Sequence, residues 1–402
     1  MSDPAERAEF KRLRANIPKL YGFTFFQMFL VIMPVIVPFF QSKGLSIQQI
    51  FTLQGIFGGT LIAFDAPAGY LADIFGRRRT LVIGSIISAV GFQFLWLGGT
   101  FYDFAIFEVA IGVGLSLQSG CDVTILYETL EKMRLHGSGA GYLGRRLTYS
   151  TAGEGFASLL GGLLAGISLQ LPAYAMAITA WIPVGIAMTL HEPQGERLSR
   201  SSHIQNFRMI GTAVFGHSKL LTLALLAFIF YGFATFVAVW SLQPYWQSRG
   251  LSFHLFGYMW AANNFIVAFI ARYVYNFERR VGSVAIVVII ALLPVIGYFG
   301  MGYTPGLFGL IFTLCFPVCR AFNQVIFQDA INKRIPGEMR ATVNSIGTLG
   351  MRALFIVFGP LIGGVLDEHG PNGAMITMGW VYVGAMFLIA LPLLTQRRSF
   401  RT

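Results

Sequence analysis

Apolar stretches of about twenty residues recur along the whole chain and are separated by short polar breaks. One helix needs roughly 20 apolar residues to cross the hydrocarbon core of a bilayer. The pattern therefore predicts twelve transmembrane helices, numbered here as spans 1 to 12. They lie near residues 18–40, 48–72, 80–100, 104–128, 147–169, 172–190, 220–246, 253–275, 283–302, 305–328, 341–366 and 373–395.

The composition is typical of a chain that is mostly embedded in a membrane. Hydrophobic residues make up 55% of the 402 residues, and charged residues only 12%. A soluble domain of this length carries far more charge on its surface. The composition therefore excludes a water-soluble domain of this size.

Basic residues are concentrated on one side of the predicted membrane. The net charge is +11, and 24 of the 29 Lys and Arg residues lie in segments that would face the same side. Only Lys43 and Arg249 would face the other side. Because cytoplasmic loops carry the excess of Lys and Arg, both termini are predicted to be cytoplasmic, in a bacterial inner membrane. The charge is explained without a nucleic-acid partner.

The chain is predicted to be divided into two bundles of six helices. Residues 191–217 are polar and charged, which is typical of a linker. The predicted N-terminal bundle is therefore 1–190, and the predicted C-terminal bundle is 218–402. Both bundles are expected to be helical throughout.

The two halves also resemble each other in sequence. Residues 38–46 read PFFQSKGLS and residues 244–252 read PYWQSRGLS, at an offset of 206 positions. The same offset carries Gly76 onto Gly282, each just before a third helix of its half. Parallel repeats of this kind build many transporters.

The loop after span 2 carries a motif that identifies a family. Residues 69–81 read GYLADIFGRRRTL. Gly69 suits close helix packing, Gly76 permits a tight turn, and Asp73 can meet a helix N-terminus or an arginine. The motif resembles the loop signature of the major facilitator superfamily. The resemblance implies an all-α membrane protein with two six-helix bundles around a central cavity, acting as a monomeric secondary transporter without a cofactor.

Two further stretches resemble a drug-efflux-like branch of that superfamily. They are residues 65–69 (DAPAG) in span 2 and residues 119–128 (SGCDVTILYE) in span 4. The chain departs from the branch at Val123 and at Glu108, where many drug antiporters carry an arginine. The resemblance implies export of a lipophilic compound in exchange for protons.

Ionisable groups inside apolar spans are costly and therefore indicate function. The four acidic ones, all in the first half, are the proton-coupling candidates. The alternative is that each carboxylate is permanently paired with an arginine or a helix end. This alternative is favoured for Asp122 and Glu154, which lie nearest to Arg145 and Arg146. The candidates are Asp65, Glu108, Asp122 and Glu154.

The second half carries intramembrane arginines instead, at Arg272, Arg320 and Arg352. A planar guanidinium suits a carboxylate or phosphate. Arg320 and Arg352 could therefore bind an organic anion, which is the alternative substrate class. They could equally neutralise the carboxylates of the first half.

Five loop and helix-end charges are predicted to form a cytoplasmic gate, an ionic latch that forms in one state and breaks in the other. The alternative is a set of solvated loop charges. The gate residues are Asp73, Arg77, Arg78, Glu128 and Arg145.

Polar and aromatic side chains within the spans are predicted to line the substrate cavity. They are Tyr21, Gln27, Tyr231, Trp240, Asn263, Asn264, Arg320, Asn323 and Arg352. No metal site is expected, since Cys315 and Cys319 have no His or carboxylate beside them. The expected partners are a small-molecule substrate, protons and the lipid bilayer. A membrane sensor or a lipid-handling scaffold is the non-transport alternative.

Overall fold

The computed structural model describes residues 4–135, 139–192, 219–335 and 340–396, and all regular structure in these ranges is helical. Each predicted span corresponds to one helix, to several consecutive helical elements or, for spans 11 and 12, to one shared helical run. The first half comprises Pro4–Gln27, Met33–Val35 and Ile36–Ser42 (span 1), Ile47–Phe75 (2), Arg77–Leu97 (3), Phe101–Gln118 and Cys121–Lys132 (4), Gly139–Ile167 (5), Gln170–Thr179 and Ile182–Thr189 (6).

The second half comprises six further spans. Span 10 combines 3₁₀, α and π turns, and spans 11 and 12 are one helical run bent at Gly370. Its elements are Lys219–Ser248 (7), Phe253–Val281 (8), Ser283–Tyr303 (9), Gly306–Leu314, Cys315–Phe322, Asn323–Phe327 and Gln328–Asn332 (10), Arg340–Ala385, Met386–Ala390 and Leu391–Thr395 (11 and 12).

Within the described residues, nine helices are individually long and apolar enough to cross a membrane. The difference from twelve has a physical origin. The run Val343–Thr395 contains two spans. Span 1 is divided into shorter helices, and span 5 is less apolar because it contains Glu154 and several glycines.

The internal repeat is visible in the backbone. Gly44 and Gly250 have φ of +86° and +74°, and Gly76 and Gly282 have φ of +92° and +85°. Both pairs are separated by the repeat offset of 206 positions. Only glycine adopts this conformation without strain, so the turns before the second and third helices are built alike in both halves.

The described residues divide into two compact units. Unit 1 consists of those within Met1–Leu45, Ile56–Ser199 and Ser252–Ala261; unit 2 consists of those within Ser46–Gly55, Arg200–Leu251 and Ala262–Thr402. The first residues of span 2 thus group with the later spans, and the first residues of span 8 with the earlier ones. Most of the predicted linker, from residue 193, lies outside the described residues.

These two short segments occupy equivalent places in the repeat and pack similarly. In unit 2, a Cβ on Gly363 would lie 2.6 Å from the Cα of Gln48, so span 11 and the start of span 2 are in backbone contact. In unit 1, a Cβ on Gly162 would lie 2.8 Å from the Cα of Gly257, so span 5 and the start of span 8 are in backbone contact. Small residues permit such close helix packing.

A carboxylate completes the packing in unit 2. Asp367, at the end of span 11, accepts hydrogen bonds from the N–H groups of Ile47 and Gln48 at 2.9 and 2.8 Å. These are two of the N–H groups that a helix leaves unpaired at its start. Asp367 therefore caps span 2.

Candidate functional site

The end of unit 1 that carries the loop motif contains a cluster of polar contacts, called here the basic end. The guanidinium of Arg77 forms an ion pair with Glu128. The carboxylate of Glu192 accepts the Arg77 backbone N–H at 2.7 Å, at the positive end of span 3. Arg78 donates to the Met188 carbonyl at 2.5 Å. The start of span 3 is thereby tied to spans 4 and 6.

The predicted gate is thus only partly assembled. Of its five residues, the structure joins Arg77 to Glu128. Asp73 is exposed. Arg145 is also exposed, and its guanidinium lies 5.8 Å from the ring centre of Tyr142. The latch as a whole stays a prediction.

Asn16 is a buried residue at the basic end whose side chain hydrogen-bonds to several helices, and the sequence analysis did not identify it. Its Nδ2 donates to the His191 carbonyl at 2.7 Å and to Thr129 Oγ1 at 3.2 Å. Its Oδ1 accepts the His191 N–H at 2.9 Å. One asparagine therefore joins spans 1, 4 and 6. A lone polar residue before an apolar run gives little signal in a sequence.

Asp122 forms a buried ion pair inside unit 1. Its Oδ2 accepts from Arg146 Nε at 2.7 Å and from Nη2 at 2.5 Å. The Thr24 hydroxyl lies 3.5 Å from the same oxygen. The Asp122 side chain is 5% exposed and that of Arg146 is 24% exposed, so the buried carboxylate depends on the guanidinium to compensate its charge. This geometry supports the paired alternative for Asp122.

The other three carboxylates have different surroundings. Glu154 is half-buried and accepts a hydrogen bond from Trp260 Nε1 at 3.3 Å, both within unit 1. Glu108 is buried, with 3% of its surface exposed. Asp65 is exposed on span 2, and its Oδ1 accepts the hydroxyl of Ser116 at 2.9 Å.

Gln27 begins a chain of amide hydrogen bonds through unit 1. Its Nε2 donates to Gln118 Oε1 at 2.7 Å, and Gln118 Nε2 donates to the Ser88 hydroxyl at 3.0 Å. Tyr21, a turn and a half earlier, stacks on Tyr149 with ring centres 5.0 Å apart. Two of the predicted cavity residues therefore belong to one polar and aromatic region of span 1.

Spans 1 and 4 are both interrupted near their middle. The first helix of span 1 ends at Gln27, and the next turn begins at Met33. The first helix of span 4 ends at Gln118, and the next begins at Cys121. The Gln27–Gln118 hydrogen bond therefore joins the two interruptions. The sequence analysis predicted both spans as continuous.

In unit 2, three predicted cavity residues are buried. Tyr231, Trp240 and Asn323 expose 1%, 5% and 2% of their surface. Asn323 Nδ2 donates to the Phe228 carbonyl at 3.1 Å. Tyr231 lies 6.4 Å from Tyr382, ring centre to ring centre. These side chains lie within the packed interior, and their assignment to a cavity stays a prediction.

The remaining candidates of unit 2 are more accessible. Asn263, Asn264, Arg320 and Arg352 are half-buried, and Arg272 is exposed. Beyond span 10, Lys333 bonds Asp329 at 2.6 Å, and this hydrogen bond raises the pKa of the lysine. Among the described residues, no group of three His, Cys, Asp or Glu side chains could hold a metal ion.

Comparison with known proteins agrees with this architecture. The family model described as Major Facilitator Superfamily matches residues 20–360. The chain belongs to that superfamily. It is therefore an integral membrane protein and a secondary transporter of small solutes, not an enzyme. No curated protein matches the chain by sequence similarity.

Solved transporter structures share the fold. The nucleoside transporter NupG superposes with a TM-score of 0.76 at 16% identity, covering 94% of this chain and 98% of that chain. A bacterial homologue of the human lysosomal transporter Spinster gives 0.70 at 16% identity, covering 98% and 95%. A D-xylose–proton symporter gives 0.68 at 18% identity, covering 94% and 95%. These likenesses show the twelve-helix major facilitator fold.

Proposed function

We propose that this transporter exports a small lipophilic organic solute in exchange for protons, with Asp65 as the proton-carrying group. The observation that carries the proposal is the contrast between Asp65 and Asp122. Asp65 is exposed, and its Oδ1 accepts the hydroxyl of Ser116. Asp122 is buried against a guanidinium. The exposure of Asp65, compared with the burial of Asp122 against Arg146, supports Asp65 as the carboxylate that protons can reach.

A row of exposed aromatic side chains on span 8 supports the proposal of a lipophilic substrate. Phe265 and Phe269 stack with ring centres 6.2 Å apart, and Phe269 and Tyr273 lie 5.1 Å apart. These three side chains expose 69%, 55% and 47% of their surface. Binding sites for lipophilic ligands are lined mainly by such side chains.

We further propose that the basic end of unit 1 faces the cytoplasm of a bacterial cell, as the distribution of Lys and Arg favours. A membrane-impermeant maleimide applied to intact spheroplasts should then label Ser46→Cys but not Arg134→Cys. Both positions are exposed. The reverse labelling pattern would invert the topology and turn the proposed export into uptake.

The proton-exchange proposal is tested in everted membrane vesicles that carry a preformed pH gradient. Adding lipophilic cations or neutral drugs should dissipate the gradient in the wild type. Asp65→Asn should reduce this response roughly tenfold or more, because a fixed neutral group cannot carry the proton. Glu131→Gln, an exposed carboxylate near the basic end, is the matched control and should keep the response. Unchanged exchange in Asp65→Asn would refute the role of Asp65.

An organic anion is the second candidate substrate, because Arg320 and Arg352 are both half-buried within unit 2. A thermal-shift screen separates the two classes, since a ligand that binds only the folded state stabilises it. Stabilisation by organic anions that is lost in Arg352→Gln would favour the anion. Stabilisation by lipophilic cations that is lost in Asp65→Asn would favour the export proposal.

A further inference from the structure

The boundaries at which the two units exchange helix starts follow the internal repeat. The exchanged segment of span 2 is Ser46–Gly55, and that of span 8 is Ser252–Ala261. Both the first and the last residues of the two segments are separated by the repeat offset of 206 positions. Each half of the chain therefore supplies the start of one span to the unit that is formed mainly by the other half.

In unit 2, the start of span 2 packs along span 11 over several turns. Phe51 stacks on Phe355 with ring centres 5.5 Å apart. A Cβ on Gly55 would lie 3.6 Å from the Cα of Ile356. Together with the glycine contact and the carboxylate cap described above, these contacts cover the exchanged segment from its first turn to its last residue.

The same face of span 2 is uncovered beyond this segment. Span 2 is one continuous helix, Ile47–Phe75, and Ile47 lies at its far end, away from the loop motif. Ile62, Ala66 and Gly69 continue the face of Gly55 at helical spacing. All three are exposed.

Span 5, in unit 1, shows the same change along its length. The Ser158 carbonyl lies against Gly257 at the start of span 8, and Glu154 receives the indole hydrogen bond described above. Thr151 and Leu147 come next on that face, at spacings of three and four residues, and both are exposed. Contact with span 8 therefore ends toward the basic end.

A secondary transporter must expose its binding site to each side of the membrane in turn. In transporters built from two repeats, one repeat rocks against the other, so that one end opens while the other closes. Span 2 belongs to the first repeat and span 11 to the second. Their contact at the far end of span 2 therefore has to separate in the state that is open at that end.

Asp367 provides the polar part of this contact. Its two oxygens accept the N–H groups of Ile47 and Gln48, at the positive end of span 2. Asp367 is exposed. Water can therefore replace both hydrogen bonds when the spans separate, and no charge is left buried without a partner.

The equivalent packing in unit 1 lacks this carboxylate. Asp367 follows the packing glycine of span 11 by four residues, and Gly166 follows that of span 5 by four residues. A Cβ on Gly166 would lie 3.1 Å from the Cβ of His254, the repeat equivalent of Gln48. Helix packing at these sites therefore does not itself require a carboxylate.

We propose that Asp367 is a latch that stabilises the state closed at the far end of span 2. Its two hydrogen bonds break each time the transporter opens at that end, so they set the ratio of the two states. Asp367 acts through span 2 and is a positioning residue. The inference rests on the family of the chain and not on the proposed substrate or on Asp65.

The test measures labelling of the purified full-length protein by a water-soluble maleimide, with peptide mass spectrometry as the readout. The reporters are Gly55→Cys, which faces span 11, and Leu147→Cys, which is exposed on span 5. Asp367→Asn should speed the labelling of Gly55→Cys about two- to thirtyfold, the range that corresponds to loss of a helix cap. It should slow the labelling of Leu147→Cys, because the basic end closes when the far end opens.

Glu368→Gln is the matched control. Glu368 is the neighbouring carboxylate, its side chain is 76% exposed, and it lies 3.9 Å from the His369 ring nitrogen. Removing its charge should change the labelling of neither reporter. An equal response to Glu368→Gln and to Asp367→Asn would assign the effect to surface charge and overturn the proposal.

Two further results would overturn the latch. One is unchanged or slower labelling of Gly55→Cys in Asp367→Asn. The other is faster labelling of Gly55→Cys without slower labelling of Leu147→Cys, since local fraying or general loosening does not protect the second reporter. Neither reporter measures proton exchange, so the role of Asp65 can fail while the latch stands, and the reverse.

Discussion

At the scale of single residues, the clearest energetic consequence concerns the Asp122–Arg146 pair. A buried ion pair contributes little net stability, but breaking it leaves an uncompensated charge in a dry site. We expect Arg146→Met to destabilise the protein by about 3–5 kcal/mol for this reason. Unfolding of the purified protein in mixed detergent micelles measures the change.

The matched experiment removes both charges. The double variant Arg146→Met, Asp122→Leu should recover most of the lost stability, because no charge is left unpaired. If the double variant is as unstable as the single one, the two side chains act through packing and not as an ion pair.

The sequence identified several of these residues but not their partners. Asp122 and Glu154 stand out because charge is rare in apolar runs, and Arg77 and Glu128 stand out as charges of the loop motif and of a helix end. The sequence did not reveal that Trp260 donates a hydrogen bond to Glu154. The two residues are more than one hundred positions apart, and an indole in an apolar span can equally pack against lipid or other helices. A single sequence shows which side chains are costly, whereas contacts between distant spans depend on packing.

At the scale of the elements, the length of the apolar runs was enough to place all twelve spans. The interruptions of spans 1 and 4 were missed because their signals, Pro34 and Gly120, are single residues inside otherwise apolar runs. Prolines also lie inside regular helices of this chain, as Pro294 does in span 9. A proline alone therefore does not predict a break.

Replacing Pro34 should repair the break in span 1. Pro34→Ala supplies an N–H that can bond to Leu30 and removes the clash. We expect slower hydrogen–deuterium exchange at residues 28–33. Pro294→Ala is the control, and it should leave this exchange unchanged. Unchanged exchange in Pro34→Ala would mean that the break is imposed by packing against neighbouring spans.

Two glycines of span 5 provide a direct test of helix packing. A Cβ on Gly162 would lie 2.7 Å from the His254 carbonyl oxygen, whereas nothing lies within 4 Å of one on Gly155. Gly162→Ala should destabilise unit 1 by about 1–3 kcal/mol through overpacking. Gly155→Ala should stabilise it by about 0.5–1 kcal/mol through helix propensity.

The same unfolding assay measures both variants. Equal effects of the two substitutions would show that span 5 and the start of span 8 are not in backbone contact.

At the scale of the whole molecule, the repeat and the loop motif identified the family from sequence alone, and the family model confirms it. The grouping of helix ends was not predicted. The boundaries drawn at 190 and 218 follow chain order, whereas the compact units exchange the first residues of spans 2 and 8. Chain order cannot reveal such an exchange, because it depends on which helix surfaces are complementary.

The Asp367 cap has a consequence for the time course of synthesis. The carboxylate and the Ile47 N–H that it accepts are 320 positions apart. At roughly 5–20 residues per second, a ribosome needs about 16–64 s to cover that distance. Throughout this interval span 2 is already made, yet the cap for its first turn does not exist. The first turn of span 2 therefore cannot be capped until span 11 has been synthesised, and the start of span 2 reaches its final packing only near the end of translation.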